Sequence, residues 1–250
     1  MLHKEREQEI MSILKMTGGF VSVKQLCDSL FASESSIRRD LKSLELQGLV
    51  KRSYGGAAPV VSHSNIITFN HRTRQHADAK MQIAKKAAAL IPECGIIFLD
   101  QSSTSFYLAN EIMHRSGLTV VTNNIEIMLL LSNTGIKLIS TGGCLSEENR
   151  NCLIGDDARR TFENIYADVV FFSVKAISDE GVVSDCSPEE VAVRNAMLRN
   201  GMKKVLLCDS SKFGARAPYR QCAVTDVDVL ISEGDRAGYF SRWEDRVRLL

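Results

Sequence analysis

Five short polar segments in the second half of the chain each follow directly on an apolar run. They are Asp100-Gln101-Ser102-Ser103-Thr104-Ser105, Thr122-Asn123-Asn124, Ser140-Thr141-Gly142-Gly143, Ser173-Val174-Lys175 and Asp209-Ser210-Ser211-Lys212. Hydroxyl groups and the free N–H groups at a helix start both donate hydrogen bonds to oxyanions. The first segment is the richest, because Ser102, Ser103, Thr104 and Ser105 sit where a helix should begin. Lys175 and Lys212 add positive charge, and Gly142 with Gly143 lets the backbone approach a ligand closely. Thr122 and Asn123 supply further polar groups at the second strand end. Asp100 repels phosphate and is suited to accepting hydrogen bonds from hydroxyls. Donors for a phosphate beside an acceptor for hydroxyls describe a phosphorylated sugar or polyol. Taken singly, each serine reads first as a helix cap. Together the five segments point to one ligand pocket.

A second set of residues, near the amino terminus, suits a polyanion. The apolar face Ile37, Leu41 and Leu44 defines a helix capped by Ser33. At about 100° per residue the opposite side carries Ser35, Arg39 and Lys42, with Ser36, Arg38 and Ser43 nearby. Asp40 and Glu45 fall nearer the edges of the apolar face. On this helix alone a solvated surface explains the charges as well as DNA does. Lys51 and Arg52, on the strand that follows, extend the basic surface to where a wing would grip phosphate and favour nucleic acid.

Other chemistries find little support. Seven cysteines are scattered at 27, 94, 144, 152, 186, 208 and 222, with no C-x-x-C pair and none beside a histidine. No metal site is expected from that spacing, and most of these thiols read as core residues of a reduced protein. His71 and His76 lack a neighbouring carboxylate or thiol at ligand spacing and read as solvated linker residues. None of the five histidines falls at an expected strand end, and Ser103 has no G-x-S-x-G setting. Without a Walker loop or G-x-G-x-x-G, no nucleotide cofactor is implied. Asp100, Glu189 and Lys212 leave acid–base chemistry on a sugar possible but unforced.

The elements that must position these groups follow from periodicity. Residues 1–58 show helical period only until Leu49-Val50-Lys51-Arg52-Ser53-Tyr54, a strand turning at Gly55-Gly56. Ile10, Ile13, Leu14 and Thr17 mark a first helix, and Ser22-Val23-Lys24-Gln25 is a capping box opening a second. Three short helices and a hairpin outline a winged helix-turn-helix. Residues 59–79 are polar and mixed and read as a linker, leaving 80–250 as the second domain. There, apolar strands at 96–99, 118–121, 137–139, 169–172, 205–208 and 227–231 alternate with helices, and Ser187-Pro188-Glu189-Glu190 is a strong helix start. That alternation predicts an α/β fold, a mostly parallel Rossmann-like sheet covered on both faces. Lysine and arginine number 31 against 30 aspartates and glutamates, so only a local basic face is available. No apolar run reaches the roughly 18 residues of a membrane span, and the charged amino terminus is no signal peptide, which points to the cytoplasm.

Ser33-Glu34-Ser35-Ser36-Ile37-Arg38-Arg39-Asp40-Leu41, Leu44-Glu45-Leu46-Gln47-Gly48-Leu49 and Arg52-Ser53-Tyr54-Gly55-Gly56-Ala57 closely resemble the DeoR family of bacterial transcriptional regulators. The likeness continues through Ile83-Ala84, Leu99-Asp100, Thr122-Asn123, Gly142-Gly143, Gly155 and Asp209-Ser210-Ser211-Lys212-Phe213-Gly214 and so spans nearly the whole chain. It implies a winged helix-turn-helix joined to a sensor domain resembling ribose-phosphate isomerase and glucosamine-phosphate deaminase. It further implies a repressor of a sugar or nucleoside catabolic operon, bound to double-stranded operator DNA as a homodimer or tetramer and controlled by a phosphorylated sugar. A sugar-phosphate isomerase or deaminase with an accessory head is the alternative, and a protein-docking head a third reading.

Overall fold

In the computed structural model, residues 3–17, 19–47, 49–59, 69–234, 238–243 and 245–250 are described. The chain divides into two units, Met1–Ile66 and Ile67–Leu250.

The first unit runs α1 (His3–Thr17), β1 (Val21–Ser22), α2 (Val23–Leu30), α3 (Glu34–Leu46), β2 (Val50–Ser53) and β3 (Gly56–Pro59). The capping box forms: the Gln25 N–H donates to Ser22 Oγ at 3.2 Å and the Ser22 N–H to Gln25 Oε1 at 2.9 Å. Ser33 caps α3 by accepting from the Ser36 N–H. Ile10, Leu14, Leu26, Ile37, Leu41 and Leu44 bury the shared faces of the three helices. Asp40, expected at the edge of the apolar stripe, is fully buried and accepts from Arg6 Nε at 2.5 Å. That bond ties α3 to α1. The three strands pair antiparallel in the order β1-β3-β2 and make the wing. Its turn uses Gly55 at φ +82, and Gly56 lets β3 lie against β1, since a Cβ there would stand 2.3 Å from the Val21 carbonyl oxygen.

The second unit begins with α4 (Phe69–Arg74) and α5 (Ala77–Ala88). Residues 69–79, expected as linker, are therefore mostly helical, and Phe69 is buried with its ring edge-on to Phe106 at 5.7 Å. The aromatic anchor stands among polar neighbours, which hid it from periodicity. Residues 60–68 of that expected linker lie outside the described residues. Next come β4 (Gly95–Leu99), α6 (Ser103–Ile112), β5 (Leu118–Thr122), α7 (Ile125–Leu131) and β6 (Lys137–Ser140). A small hairpin, β7 (Cys144–Leu145) and β8 (Leu153–Ile154), precedes α8 (Asp156–Glu163) and β9 (Ala167–Phe172). The chain continues through β10 (Ala176–Ile177), β11 (Val182–Asp185), α9 (Pro188–Asn200) and β12 (Gly201–Leu207). It ends with β13 (Tyr219–Ala223), β14 (Val229–Ile231) and β15 (Arg248–Leu249).

Among the described residues, seven strands form one parallel sheet in the order β15-β14-β12-β9-β4-β5-β6. Alternate residues feed two cores: Ile97, Leu99, Val120, Phe171 and Leu207 meet α5, α6 and α7 on one face. Phe98, Val121, Val170, Phe172 and Leu206 meet α8 and α9 on the other. Burial on both faces is why these strands read as continuous apolar runs. Two features escape that signal: the edge strand β15, two residues long, and the antiparallel sheet β10-β11-β13.

Gly56→Ala should destabilise the first unit by about 1–3 kcal/mol, the range for an overpacked site. Urea unfolding followed by circular dichroism checks this, and an unchanged midpoint would show that β1 and β3 separate without cost.

Candidate functional site

The strand order reverses between β4 and β9: β5 and β6 continue to one side of β4, while β9, β12, β14 and β15 extend to the other. A parallel sheet opens a crevice at such a point, outside the carboxyl ends of its strands. A cavity of about 410 Å³ lies there, within the usual range for small-molecule sites. Its wall takes Gln101 to Thr104 from the end of β4, Ser173 to Ala176 from β9, and Asp209, Ser211 and Lys212 from β12. Of the expected ligand residues, Ser102, Ser103, Thr104, Lys175 and Lys212 line this cavity.

Others of the expected set do not, and the reasons are structural. Thr122 and Asn123 are buried beyond the wall: the Asn123 side-chain amide donates to the Leu153 carbonyl at 3.0 Å and Thr122 Oγ1 accepts from the Asn124 N–H. Gly142 and Gly143 lead into the β7-β8 hairpin, where a Cβ on Gly143 would lie 2.2 Å from the Ile154 carbonyl oxygen. Their freedom serves chain packing instead of ligand approach. The hairpin thus occupies the ends of β5 and β6, and only three of the five polar segments converge. Ser105 is buried and donates to Asp100 Oδ1 at 2.6 Å.

Asp100 itself does not line the cavity. Its Oδ1 also accepts from the Ser102 N–H at 3.1 Å, and its Oδ2 from the Ser173 N–H at 3.1 Å and Arg194 Nε at 3.2 Å. The carboxylate joins the end of β4, the start of α6 and the end of β9, and so helps to shape the cavity wall. Arg194, only 1% exposed in mid-α9, also contacts Asp185 at 3.1 Å and Gln221 at 2.8 Å. Burial alone would lower its pKa, but the carboxylates of Asp185, Asp100 and Glu190 outweigh that and hold it above its ordinary value.

Several wall residues were invisible to the motif search. Arg72, Gln75, His76 and Lys80 come from the α4–α5 junction, read as linker or helix surface. Asp185, Glu190 and Arg194 also line the cavity. Of the two adjacent glutamates, Glu190 lines the cavity and Glu189 does not. Glu190 accepts from Gln101 Nε2 at 2.8 Å and Asn149 Nδ2 at 3.0 Å. The helix start at Ser187 was legible, but which of two adjacent glutamates faces inward depends on helix rotation.

The electrostatics favour an anion. Lys80 Nζ donates to the Gln75 carbonyl at 2.7 Å and to the Arg72 carbonyl. Burial, then repulsion from Lys212, lowers its pKa to about 8. Lys212 donates to Ser173 Oγ at 2.8 Å and lies 3.4 Å from Asp209 Oδ2. Burial would raise the Asp209 pKa, yet Lys212, a hydrogen bond from Ser211, His76 and Lys80 together hold it below normal. Two buried acceptors on the wall, Gln101 Oε1 and Thr104 Oγ1, have no partner among the described residues. A buried polar atom left unpaired costs about 1–3 kcal/mol, which a ligand hydroxyl would relieve. Among the described residues no group of His, Cys, Asp and Glu is arranged to hold a metal ion, and no helix is long and apolar enough to cross a membrane.

In the first unit the basic residues are open to solvent. Ser35, Arg38, Arg39 and Lys42 on α3 and Lys51 and Arg52 on β2 are exposed. The Ser33, Ser35 and Ser36 hydroxyls cluster at the helix start, with Ser33 Oγ 3.1 Å and 2.9 Å from the other two. Arg38 pairs with Glu34 at 2.5 Å and Arg52 with Glu45 at 2.9 Å. Arg39, Lys42 and Lys51 make no ion pair among the described residues. A groove of about 510 Å³ runs between α3 and the wing, lined by Arg38, Glu45, Arg52 and Tyr54.

A winged helix-turn-helix with a cationic third helix, in one chain with a cation-rich crevice on a parallel sheet, defines a ligand-responsive regulator of transcription. Sequence comparison is in accord: the DeoR-like helix-turn-helix domain matches residues 6–63 and the DeoR C terminal sensor domain residues 75–234. The chain belongs to the DeoR family of transcriptional regulators. It is 30% identical over 234 residues to the HTH-type transcriptional regulator GlpR of Haloferax volcanii, covering 94% of this chain and 91% of that one. It is 33% identical over 230 residues to the HTH-type transcriptional regulator GolR of Listeria innocua, covering 92% and 90%. The glycerol-3-phosphate regulon repressor of Escherichia coli is 28% identical over 234 residues, covering 93% and 92%. Among solved structures, ribose 5-phosphate isomerase A of Methanocaldococcus jannaschii gives a partial likeness, TM-score 0.41 at 17% identity over 56% of this chain and 55% of that one.

Asp100→Ala should destabilise the second unit by about 3 kcal/mol, the low end for breaking a buried pair, because Arg194 keeps Asp185. Trp243, the single tryptophan, is buried in that unit and reports its urea unfolding by fluorescence. A loss below about 1 kcal/mol would mean that the carboxylate is not what holds the cradle together.

Proposed function

We propose that the protein represses a sugar or nucleoside catabolic operon, with its second unit binding a phosphorylated sugar or polyol that controls operator binding. The observation that carries the ligand class is the charge balance of the crevice. Arg72, Lys80, Lys175, Arg194, Lys212 and Arg216 outnumber Asp185, Glu190 and Asp209 on its wall. Phosphate oxygens would sit at the α6 start, on Ser102, Ser103 and Thr104 with Lys175 and Lys212, where N–H groups and the helix dipole favour negative charge. Gln101 Oε1, Thr104 Oγ1 and the three acids offer acceptors for sugar hydroxyls. The name of the Escherichia coli relative, a glycerol-3-phosphate regulon repressor, agrees with that class.

Helix α3 enters the major groove in this reading. Ser35 and Ser36 lie nearest the base edges, Arg38, Arg39 and Lys42 contact the duplex along the helix, and Lys51 and Arg52 anchor phosphates from the wing. The pairs Arg38–Glu34 and Arg52–Glu45 are exposed and worth little, so both arginines are available to DNA. Two protomers in a homodimer or tetramer would present their heads to successive major grooves of a palindromic site. Operator binding places the protein in the cytoplasm.

The ligand is held and released unchanged. Glu190 is tied to Gln101 and Asn149, Asp185 to Arg194, and Asp209 to Lys212. Acids so committed support a sensor over an isomerase or deaminase. Incubation with phosphorylated aldoses and ketoses tests this: stabilisation without turnover is expected, and turnover would restore the enzyme reading.

The decisive measurement is a thermal-shift screen against phosphorylated sugars, then binding to a duplex selected from a random library, with and without each stabilising compound. Arg39→Ala should weaken that duplex binding at least tenfold and leave ligand stabilisation intact. Parent-like DNA affinity in this variant would show that α3 faces another way.

The pH dependence follows from Lys80. Its folded-state pKa lies below the unfolded value, so the cost of burying the charge applies below pH 8. That cost is relieved as pH rises through 8 toward 10.5, where the folded chain has lost the proton and the unfolded chain retains it. A bound anion favours the charged form, so affinity for a stabilising sugar phosphate should fall between pH 7 and 9.5. The phosphate, with a second pKa of about 6, is then already doubly ionised. Calorimetric titration should show that fall in the parent and a flat profile in Lys80→Met. A flat parent profile would take Lys80 out of the site.

A further inference from the structure

One wall of the crevice is the elbow between α4 and α5, which turns at His76 in the left-handed region, φ 51 and ψ 40. Arg72 on α4 reaches across to the β7-β8 connection, where its Nη2 donates to Asn149 Oδ1 at 2.7 Å. Its Nε is buried with no partner, and no carboxylate pairs with the guanidinium among the described residues. Its guanidinium carbon also lies over the Phe69 ring, 5.5 Å from the centroid. A cation that lines a cavity, with one hydrogen bond to an amide oxygen and a second donor idle, is prepared for an anion.

We propose that Arg72 is the residue through which the crevice acts on DNA binding: an oxyanion of the bound ligand draws its guanidinium off Asn149, and α4 moves with it. The proposal rests on the sensor reading above. The amide oxygen meets the guanidinium with one neutral acceptor, whereas a phosphate brings a full opposite charge and accepts two parallel N–H bonds fork-on-fork. Phosphate therefore displaces the amide.

Helix α4 is built to follow. It has six residues, and its fastenings include Phe69 against Phe106, Tyr107 Oη donating to the Thr73 carbonyl at 3.1 Å, and Lys80 bridging the elbow carbonyls. None of these belongs to the sheet, so α4 can shift without breaking a strand pairing. Its place in the chain makes the shift consequential. Residues 60–68 join Pro59, the last residue of the wing, directly to Phe69. A ligand that favours one placement of α4 thereby biases where the tether of the DNA-binding unit begins, which is the differential affinity that coupling requires.

The test uses the full chain, the selected duplex, and glycerol 3-phosphate, ribose 5-phosphate, glucose 6-phosphate and inorganic phosphate as probes. Asn149→Ala and Arg72→Gln break the latch from its two sides. Each should change duplex affinity at least threefold without any probe present. A probe that stabilises the parent should still stabilise Asn149→Ala, whereas Arg72→Gln should lose its DNA response to that probe. Trp243 fluorescence confirms that each variant folds, and Asn149→Ser replaces the alanine variant should that one unfold. A ligand-free change below threefold in either variant overturns the proposal, as does a parent-like probe response in Arg72→Gln. If no probe stabilises the parent, the sensor reading fails, and the ligand-free comparison still decides the latch.

Discussion

The second unit is organised around one buried ion pair. Asp100 and Arg194 are almost wholly removed from water and lie 3.2 Å apart, at the place where the strand order reverses. Taking two charges out of water costs several kcal/mol per ion, and only complete hydrogen bonding offsets it. The structure supplies that. Asp100 accepts from two backbone N–H groups, one hydroxyl and the guanidinium, while Arg194 reaches Asp185 and Gln221 as well. The pair and its partners lie at the ends of β4 and β9, at the start of α6, and in β11, α9 and β13, so one pair sets the mutual positions of the segments that form the crevice.

The same economy governs the first unit. Asp40 would spoil a DNA-facing helix if it pointed outward beside Arg39. Buried against Arg6, it fastens α3 to α1 and leaves the exposed side cationic and hydroxyl-rich. In both units a buried carboxylate pairs with an arginine and holds the neighbouring basic residues in place. Local charge, not the near-neutral total, then determines what each unit attracts.

Much of this architecture was legible because its signals are local. The Ser22–Gln25 capping box, the Ser33 cap, the Gly55-Gly56 turn and the alternation of apolar strands with helices are set by neighbouring residues and appear where expected. The site was legible only in part. Ser102, Ser103, Thr104, Lys175 and Lys212 share one cavity, but Thr122, Asn123, Gly142 and Gly143 are diverted by a hairpin of two-residue strands that carries no periodicity. Asp100 stands out in the sequence at the end of its strand, but its pairing with Arg194 does not, since nothing in the chain's order brings position 194 to position 100.

The amino-acid order alone thus determined the element types, the cationic helix face and the polar strand ends, because each depends on side chains within about one turn of one another. Tertiary structure decided which strand ends meet, which glutamate of Glu189 and Glu190 faces inward, and that Arg72 and Lys80 belong to the wall. Those outcomes depend on strand order and on the rotation of a helix against the sheet. Both are settled by burying two cores at once, a condition the whole chain satisfies together and no short segment encodes.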